Sequence, residues 1–202
     1  MKTDVIAVSS RGNQIEKALV QVEKVAAYKG LSGKQTLQLR LLTEEMMGMM
    51  RSITGETEGE FWIEDEDSEY RLHLRVKTRL TGEEREQLLA ASSSGKNESA
   101  RGLMGRIRDF FDWRSDEDLA ALSGSMMMPE MYEHSSSSMW DMEWSMLRYE
   151  SALSERVSQN DGQAREAWDE LEKSVVRHVA DDVLVSIRGG VAEMTILKKL
   201  PA

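Results

Sequence analysis

The 202-residue chain contains no cysteine, and its only prolines are Pro129 and Pro201. The lack of cysteine excludes disulfides, thiol nucleophiles and thiolate zinc sites. No apolar run reaches the roughly 18 residues that a membrane-spanning helix needs, and the N-terminal segment lacks the basic-then-apolar order of a secretory signal. We therefore expect a cytoplasmic protein whose helices are rarely interrupted by proline.

Positive charge is also scarce, because 26 lysines and arginines stand against 36 aspartates and glutamates, for a net charge of −10. This excess of negative charge repels phosphate groups, so we expect neither nucleic acid nor a membrane as a partner. Apolar residues make up 40% of the chain, which is typical of a folded domain. The length fits one domain with extensions.

The periodic placement of apolar residues predicts the secondary structure. Spacings of three and four predict helices over 13–28, 32–54, 139–156 and 163–180. The second of these begins with a capping box formed by Ser32 and Gln35. Alternation predicts a strand at 5–8, a hairpin over 58–78 with its turn at 65–68, and a terminal hairpin over 182–199. The last strand is apolar on both faces, so we expect it to be central in the sheet.

The second predicted helix carries an acidic pair on an apolar background. Residues 41–49 read Leu-Leu-Thr-Glu-Glu-Met-Met-Gly-Met, and Met49 follows Glu45 by four positions. This segment resembles the Glu-x-x-x-Asn motif of the histidine-kinase-like (GHKL, Bergerat-fold) ATPases. In that family the glutamate acts as a general base or positions a water, and the asparagine binds magnesium, so the resemblance implies Glu45 as the catalytic residue. Met49 departs from the motif, because a thioether is a poor ligand for Mg²⁺.

A second resemblance to the same family lies at 99–107, where glycines stand at the start of a predicted helix. The surrounding segment, 96–108, holds four basic residues and one acid, and a helix start favours anions. The resemblance implies that this segment holds the phosphates of ATP, with Mg²⁺ as a second cofactor, through Lys96, Arg101, Gly102 and Gly105. The aspartate with which the family reads adenine has no counterpart in 76–82.

The order of elements looks most like that of the small bacterial anti-sigma-factor serine kinases. The resemblance implies an α/β (α+β) fold, a two-layer sandwich of a mixed, mainly antiparallel sheet with helices on one face. Residues 1–112 and 182–202 are expected to form this ATPase-like domain. Residues 113–181 are expected to add a Met- and Trp-rich loop and a two-helix extension to the same domain.

Two functions fit these observations. The first is a regulatory protein-binding module on a degenerate ATPase-like fold, without catalysis, whose partner contacts the 113–180 extension. Methionines at 126–131, together with Trp144 and Leu147 on one face of a predicted helix, favour such contacts, although they also fit core packing. The second is an ATP- and Mg²⁺-binding protein serine kinase of the anti-sigma-factor type. Self-assembly through the terminal hairpin is a third alternative.

The charged candidates also have a simpler interpretation. Glu44, Glu45 and the basic segment 96–108 all fit the exposed, charged faces of amphipathic helices. The histidines are far apart in the sequence and no second ligand stands in register with any of them, so we predict surface positions and no metal site for His73, His134 and His178.

Overall fold

The computed structural model describes residues 1–9, 15–54, 58–77, 143–188 and 191–201. In chain order, the elements of this part are β1 (Ile6–Ser9), α1 (Ile15–Lys29), α2 (Gly33–Thr54), β2 (Glu58–Glu66), β3 (Glu69–Lys77), β4 (Glu143–Ser145), α3 (Met146–Ser158), α4 (Gly162–Glu172), α5 (Val175–Val179), β5 (Asp182–Arg188) and β6 (Val191–Lys199). The glycine-containing helix predicted to begin at 99–107 lies outside the described residues.

The strands form one sheet in the order β1-β2-β3-β6-β5-β4. Every pairing between described strands is antiparallel, so the α+β prediction is confirmed, while the parallel pairing that a mixed sheet implies does not occur among these strands. The terminal hairpin is confirmed, and β6 lies between β3 and β5, as expected of a central strand.

The described helices pack on one face of this sheet. Alternate strand residues, such as Leu72 and Met194, point to that face and join a single core with buried helix residues, such as Leu42, Leu153 and Leu171. The intervening strand residues form the opposite face, which we call the outer face, and none of them belongs to that core. The described part is therefore a two-layer arrangement in which one side of the sheet is left without a described helix.

The start of α2 is set by the predicted capping box. The Gln35 backbone N–H donates to Ser32 Oγ at 3.3 Å, and the Ser32 N–H donates to Gln35 Oε1 at 2.8 Å, so two N–H groups at the helix start are satisfied. The preceding helix, α1, ends at Gly30, whose φ of 65° is the left-handed conformation that glycine adopts without strain. The two caps fold the chain sharply between α1 and α2.

The first hairpin has the turn that the sequence predicts. Asp67 and Ser68 have φ values of 48° and 69°, which is the two-residue arrangement with positive φ at both positions that matches the twist of the flanking strands. The resulting register places Trp62 directly opposite His73. Both residues lie on the outer face, where their rings come close enough to stack.

The helix predicted over 139–156 is wrong at its beginning. Residues Glu143–Ser145 form strand β4 on the edge of the sheet, and helix α3 begins only at Met146. Ser145 is the N-cap of α3 and its hydroxyl accepts from the Arg148 N–H. Trp144 is therefore a strand residue buried in the core, whereas Leu147, its supposed neighbour on the helix, is 50% exposed. The N-cap at Ser145 sets the start of the helix, although the aromatic residues before it have helical spacing.

The helix predicted over 163–180 is also wrong in its continuity. The chain forms α4 up to Glu172 and a separate short helix, α5, from Val175. Between them, the Ser174 N–H donates to the Leu171 carbonyl at 3.0 Å, and the Ser174 hydroxyl caps α5. The spacing of Leu171, Val175 and Val179 suggested one helix, but the residue of α5 that is buried in the core is Val176.

Candidate functional site

Glu45 lies near the middle of α2. Its side chain is half-buried, whereas the neighbouring Glu44 is exposed. Burial raises the pKa of Glu45 above the ordinary value of a glutamate, and the negative charge of Glu44 adds to the effect. Glu45 therefore holds a proton more readily than an exposed glutamate, which is a property of general bases and equally of any half-buried carboxyl group.

Met49, four residues after Glu45, is buried in the hydrophobic core. Met49 is only 2% exposed and belongs to the hydrophobic core with Leu42 and Met46. A thioether packed among apolar side chains does not fit Mg²⁺, which requires hard oxygen ligands. Within the described ranges, no group of three or more His, Asp or Glu side chains is arranged to hold a metal ion. The resemblance to the family's magnesium site therefore does not extend to this side chain.

The proposed phosphate-binding residues cannot be placed beside Glu45. Lys96, Arg101, Gly102 and Gly105 lie outside the described residues, as do the methionines at 126–131. The prediction of a phosphate site in this segment therefore stays a prediction.

A cavity that the sequence analysis did not identify lies beside α2, on a different side of the helix from Glu45. It has a volume of about 140 Å³, and we call it the α2 cavity. The helix contributes five residues, at relative positions 0, 3, 4, 6 and 7, which lie on one side of the helix. Its full lining consists of Val8, Ser9, Ile15, Glu44, Met47, Gly48, Met50, Arg51, Gly59, Leu74 and Val76. The spacing of Glu44, Gly48 and Arg51 was visible in the sequence, but nothing in it indicated which face would border a cavity.

The α2 cavity has an apolar floor and a charged rim. Met50 and Val76 in the floor are 2% and 3% exposed. Glu44 and Arg51 at the rim are exposed, and neither side chain forms an ion pair with another described residue. Between them, Gly48 leaves space among the described residues, because a Cβ added at this residue would meet none of their atoms within 4 Å.

On the outer face, Trp62 is covered by polar neighbours. Its ring stacks on His73 with a centroid distance of 4.8 Å and an interplanar angle of 5°. The Arg75 guanidinium and the Lys2 ammonium lie 5.1 Å and 5.3 Å from its centroid, within the range of cation–π contacts. Trp62 is thereby reduced to 5% exposure without joining the core.

His73 points away from the apolar face, as predicted, but it is less exposed than a surface position implies. Its side chain is 12% exposed, and burial lowers the pKa of the ring below its ordinary value, against the opposing charge of Glu64. The Thr195 hydroxyl is 3.0 Å from His73 Nδ1, while the buried Nε2 has no hydrogen-bond partner among the described residues.

Thr195, His73 and Glu64 form a hydroxyl–imidazole–carboxylate line, the order of groups in a nucleophilic triad. The geometry does not support that chemistry. The Glu64 carboxylate is 3.7 Å from His73 Nε2, and its Oε1 pairs with Lys2 at 2.9 Å. Thr195 belongs to the central strand β6, which is paired on both sides, so the backbone N–H groups of this strand are engaged in the ladders and do not form an oxyanion hole.

Comparisons of the chain with protein-family models, with curated proteins and with solved structures gave no significant match. Throughout the described part of the chain, no helix has both the length and the apolar character needed to cross a membrane. The function is therefore inferred from the geometry of the chain itself.

Proposed function

We propose that this chain is a regulatory protein-binding module on a degenerate histidine-kinase-like ATPase fold, acting in the cytoplasm without catalysis. The observation that carries the proposal is the burial of Met49 in the core, at the place of the family's magnesium ligand. An ATP-dependent kinase of this family needs a hard oxygen ligand there. A chain with a buried thioether at the position that the resemblance aligns with this ligand is better suited to binding a partner than to phosphoryl transfer.

A thermal-shift titration with ATP and ADP, with and without Mg²⁺, tests the non-catalytic half of the proposal. A ligand at 100 times its dissociation constant stabilises the folded state by about 2.7 kcal/mol, which shifts the melting temperature by several degrees. We expect no Mg²⁺-dependent shift at millimolar nucleotide. A clear shift would favour the alternative, a serine kinase, in which Glu45→Gln abolishes phosphoryl transfer and Glu44→Gln serves as the matched control.

Site-specific photo-crosslinking in cells tests the protein-binding half. A photoreactive residue is placed at Glu44 on the rim of the α2 cavity, at Glu193 on the outer face, or at the exposed helix position Lys24 as a control. We expect one protein to be captured from Glu44 or Glu193 but not from Lys24, and to bind the purified chain with a measurable Kd. Equal capture from all three positions, or no binding by the purified candidate, would contradict the proposal.

A further inference from the structure

We propose that the α2 cavity receives one apolar side chain of an extended segment of the partner protein, in which a basic and an acidic residue flank the apolar one. This inference rests on the proposed protein-binding function. It assigns to that function a receptor site and a partner of defined chemistry.

The size of the cavity sets the size of the occupant. At about 140 Å³ it is close to the roughly 150 Å³ of engineered apolar cavities that hold a benzene molecule, and well below the roughly 300–1,000 Å³ of sites for drug-sized molecules. A leucine, methionine or phenylalanine side chain matches this volume. Met47 and Met50 in the wall are flexible and polarizable, so the cavity adapts to more than one apolar shape.

The two charged residues at the rim of the α2 cavity determine which charges the partner segment should carry. Glu44 and Arg51 stand on either side of the gap over Gly48 and have no ion-pair partner among the described residues. A segment that crosses the gap therefore meets a carboxylate at one end and a guanidinium at the other. A basic residue near Glu44 and an acidic residue near Arg51 complement these two charges.

The spacing and the glycine favour an extended segment. Glu44 and Arg51 are separated by about 10.5 Å along the helix axis, at a rise of roughly 1.5 Å per residue. An extended chain covers that distance in about three residues. Because Gly48 has no side chain and a Cβ there would meet no atom of the described residues within 4 Å, the backbone of an extended segment has room to approach α2 closely.

The outer face lacks a comparable pair of charges that could select a partner. Its charges are already matched to one another: Arg75 pairs with Glu193 at 3.1 Å, and Lys2 pairs with Glu64 at 2.9 Å. Trp62 is covered by these same side chains. A partner would have to displace existing ion pairs there, whereas the rim of the α2 cavity holds two charges without an ion-pair partner in the described part of the chain.

A random 12-residue peptide library displayed on phage provides the test. The full chain is the target, and Gly48→Leu is the counter-target, because a leucine at this place blocks the gap. Gly33→Leu introduces the same change in the first turn of α2, away from the cavity, and serves as the matched control. We expect enriched peptides with Leu, Met or Phe between a basic and an acidic residue. Their affinity should fall about tenfold or more with Gly48→Leu and stay unchanged with Gly33→Leu.

Methyl NMR of protein labelled at methionine locates the binding. An enriched peptide should shift the Met47 and Met50 methyl signals, and Glu44→Arg should weaken its binding by about two- to fivefold, as expected for one exposed charge pair. The inference is overturned if no peptide is enriched, if enriched peptides bind Gly48→Leu as tightly as the parent chain, or if the two methyl signals do not move. These results would leave the crosslinks from Glu193 and the proposed function standing. Mg²⁺-dependent stabilisation by ATP would contradict only the non-catalytic half of the proposed function.

Discussion

Single residues show how differently two glycines of this chain are constrained. Gly48 is exposed on α2, and a Cβ there would meet no described atom within 4 Å. A Cβ on Gly59 would instead lie 2.8 Å from the Arg75 carbonyl oxygen and 2.9 Å from Val76 Cγ2. We expect Gly48→Ala to stabilise the protein by about 0.5–1 kcal/mol, because alanine favours the helix. Gly59→Ala should destabilise it by about 1–3 kcal/mol. Urea unfolding of both variants provides the check, and equal effects would contradict the packing at Gly59.

The proposed function depends on the packing of Met49 in the core. Met49→Asn places an amide in the core, and we expect it to cost at least about 2–5 kcal/mol of unfolding free energy through lost packing and an unsatisfied polar group. Met49→Leu preserves the volume and should cost less than about 1.5 kcal/mol. Urea unfolding measures both. If Met49→Asn kept its stability and gained Mg²⁺-dependent ATP binding, the side chain at this position would face a ligand rather than the core.

His73 makes stability depend on pH. Burial lowers the pKa of its ring in the folded state, so the unfolded chain, with an ordinary pKa of about 6.5, binds the proton more tightly. Stability is therefore complete above about pH 6.5 and falls as the pH drops from there through the lowered pKa. We expect His73→Phe, which keeps a ring on Trp62, to remove this loss between pH 7.5 and 5.5, as measured by urea unfolding. His178→Gln is the control and should retain it, and an unchanged slope in His73→Phe would contradict the assignment.

At the scale of the element, Asp182 at the start of β5 holds β4 and α3 together. Its carboxylate accepts from the Ser145 hydroxyl at 3.1 Å, from the Leu147 N–H at 3.1 Å and from the Val183 N–H at 2.8 Å. We expect Asp182→Ala to lower the unfolding free energy by about 1–3 kcal/mol because it leaves these donors without an acceptor. Asp182→Asn retains one oxygen and should cost less. An Asp182→Ala variant as stable as the parent in urea would show that water replaces the carboxylate.

The elements that the sequence predicted correctly are those with a local signal. The Ser32/Gln35 box, the alternation in β3 and the polar turn at 65–68 are each specified by residues close in the chain. Strand β4 depends instead on pairing with β5, roughly 40 residues further along, and three residues are too few for a periodic pattern. The α2 cavity likewise needs Val8, Gly59 and Val76 from three different strands, so its existence could not be predicted from α2 alone.

At the scale of the molecule, the two ends of the chain share one core. β6 inserts between β3 and β5, and Met46, Met146 and Met194 contribute to the same set of buried residues although they belong to α2, α3 and β6. A core shared in this way favours a single cooperative transition, because no layer retains its apolar contacts when another is lost. We expect the methyl NMR signals of these three methionines to disappear at the same urea concentration.

The methyl NMR experiment compares two parts of the fold. Met146 lies in the part of the fold formed by β4 and α3–α5, whereas Met46 packs between the first helices and the sheet. If the Met146 signal disappeared at a lower urea concentration than those of Met46 and Met194, the 143–179 region would unfold as a separate unit. Asp182→Ala sharpens the comparison, because it removes a link between this region and β5. In a single cooperative unit all three midpoints fall together in that variant, whereas in two units only the Met146 midpoint falls.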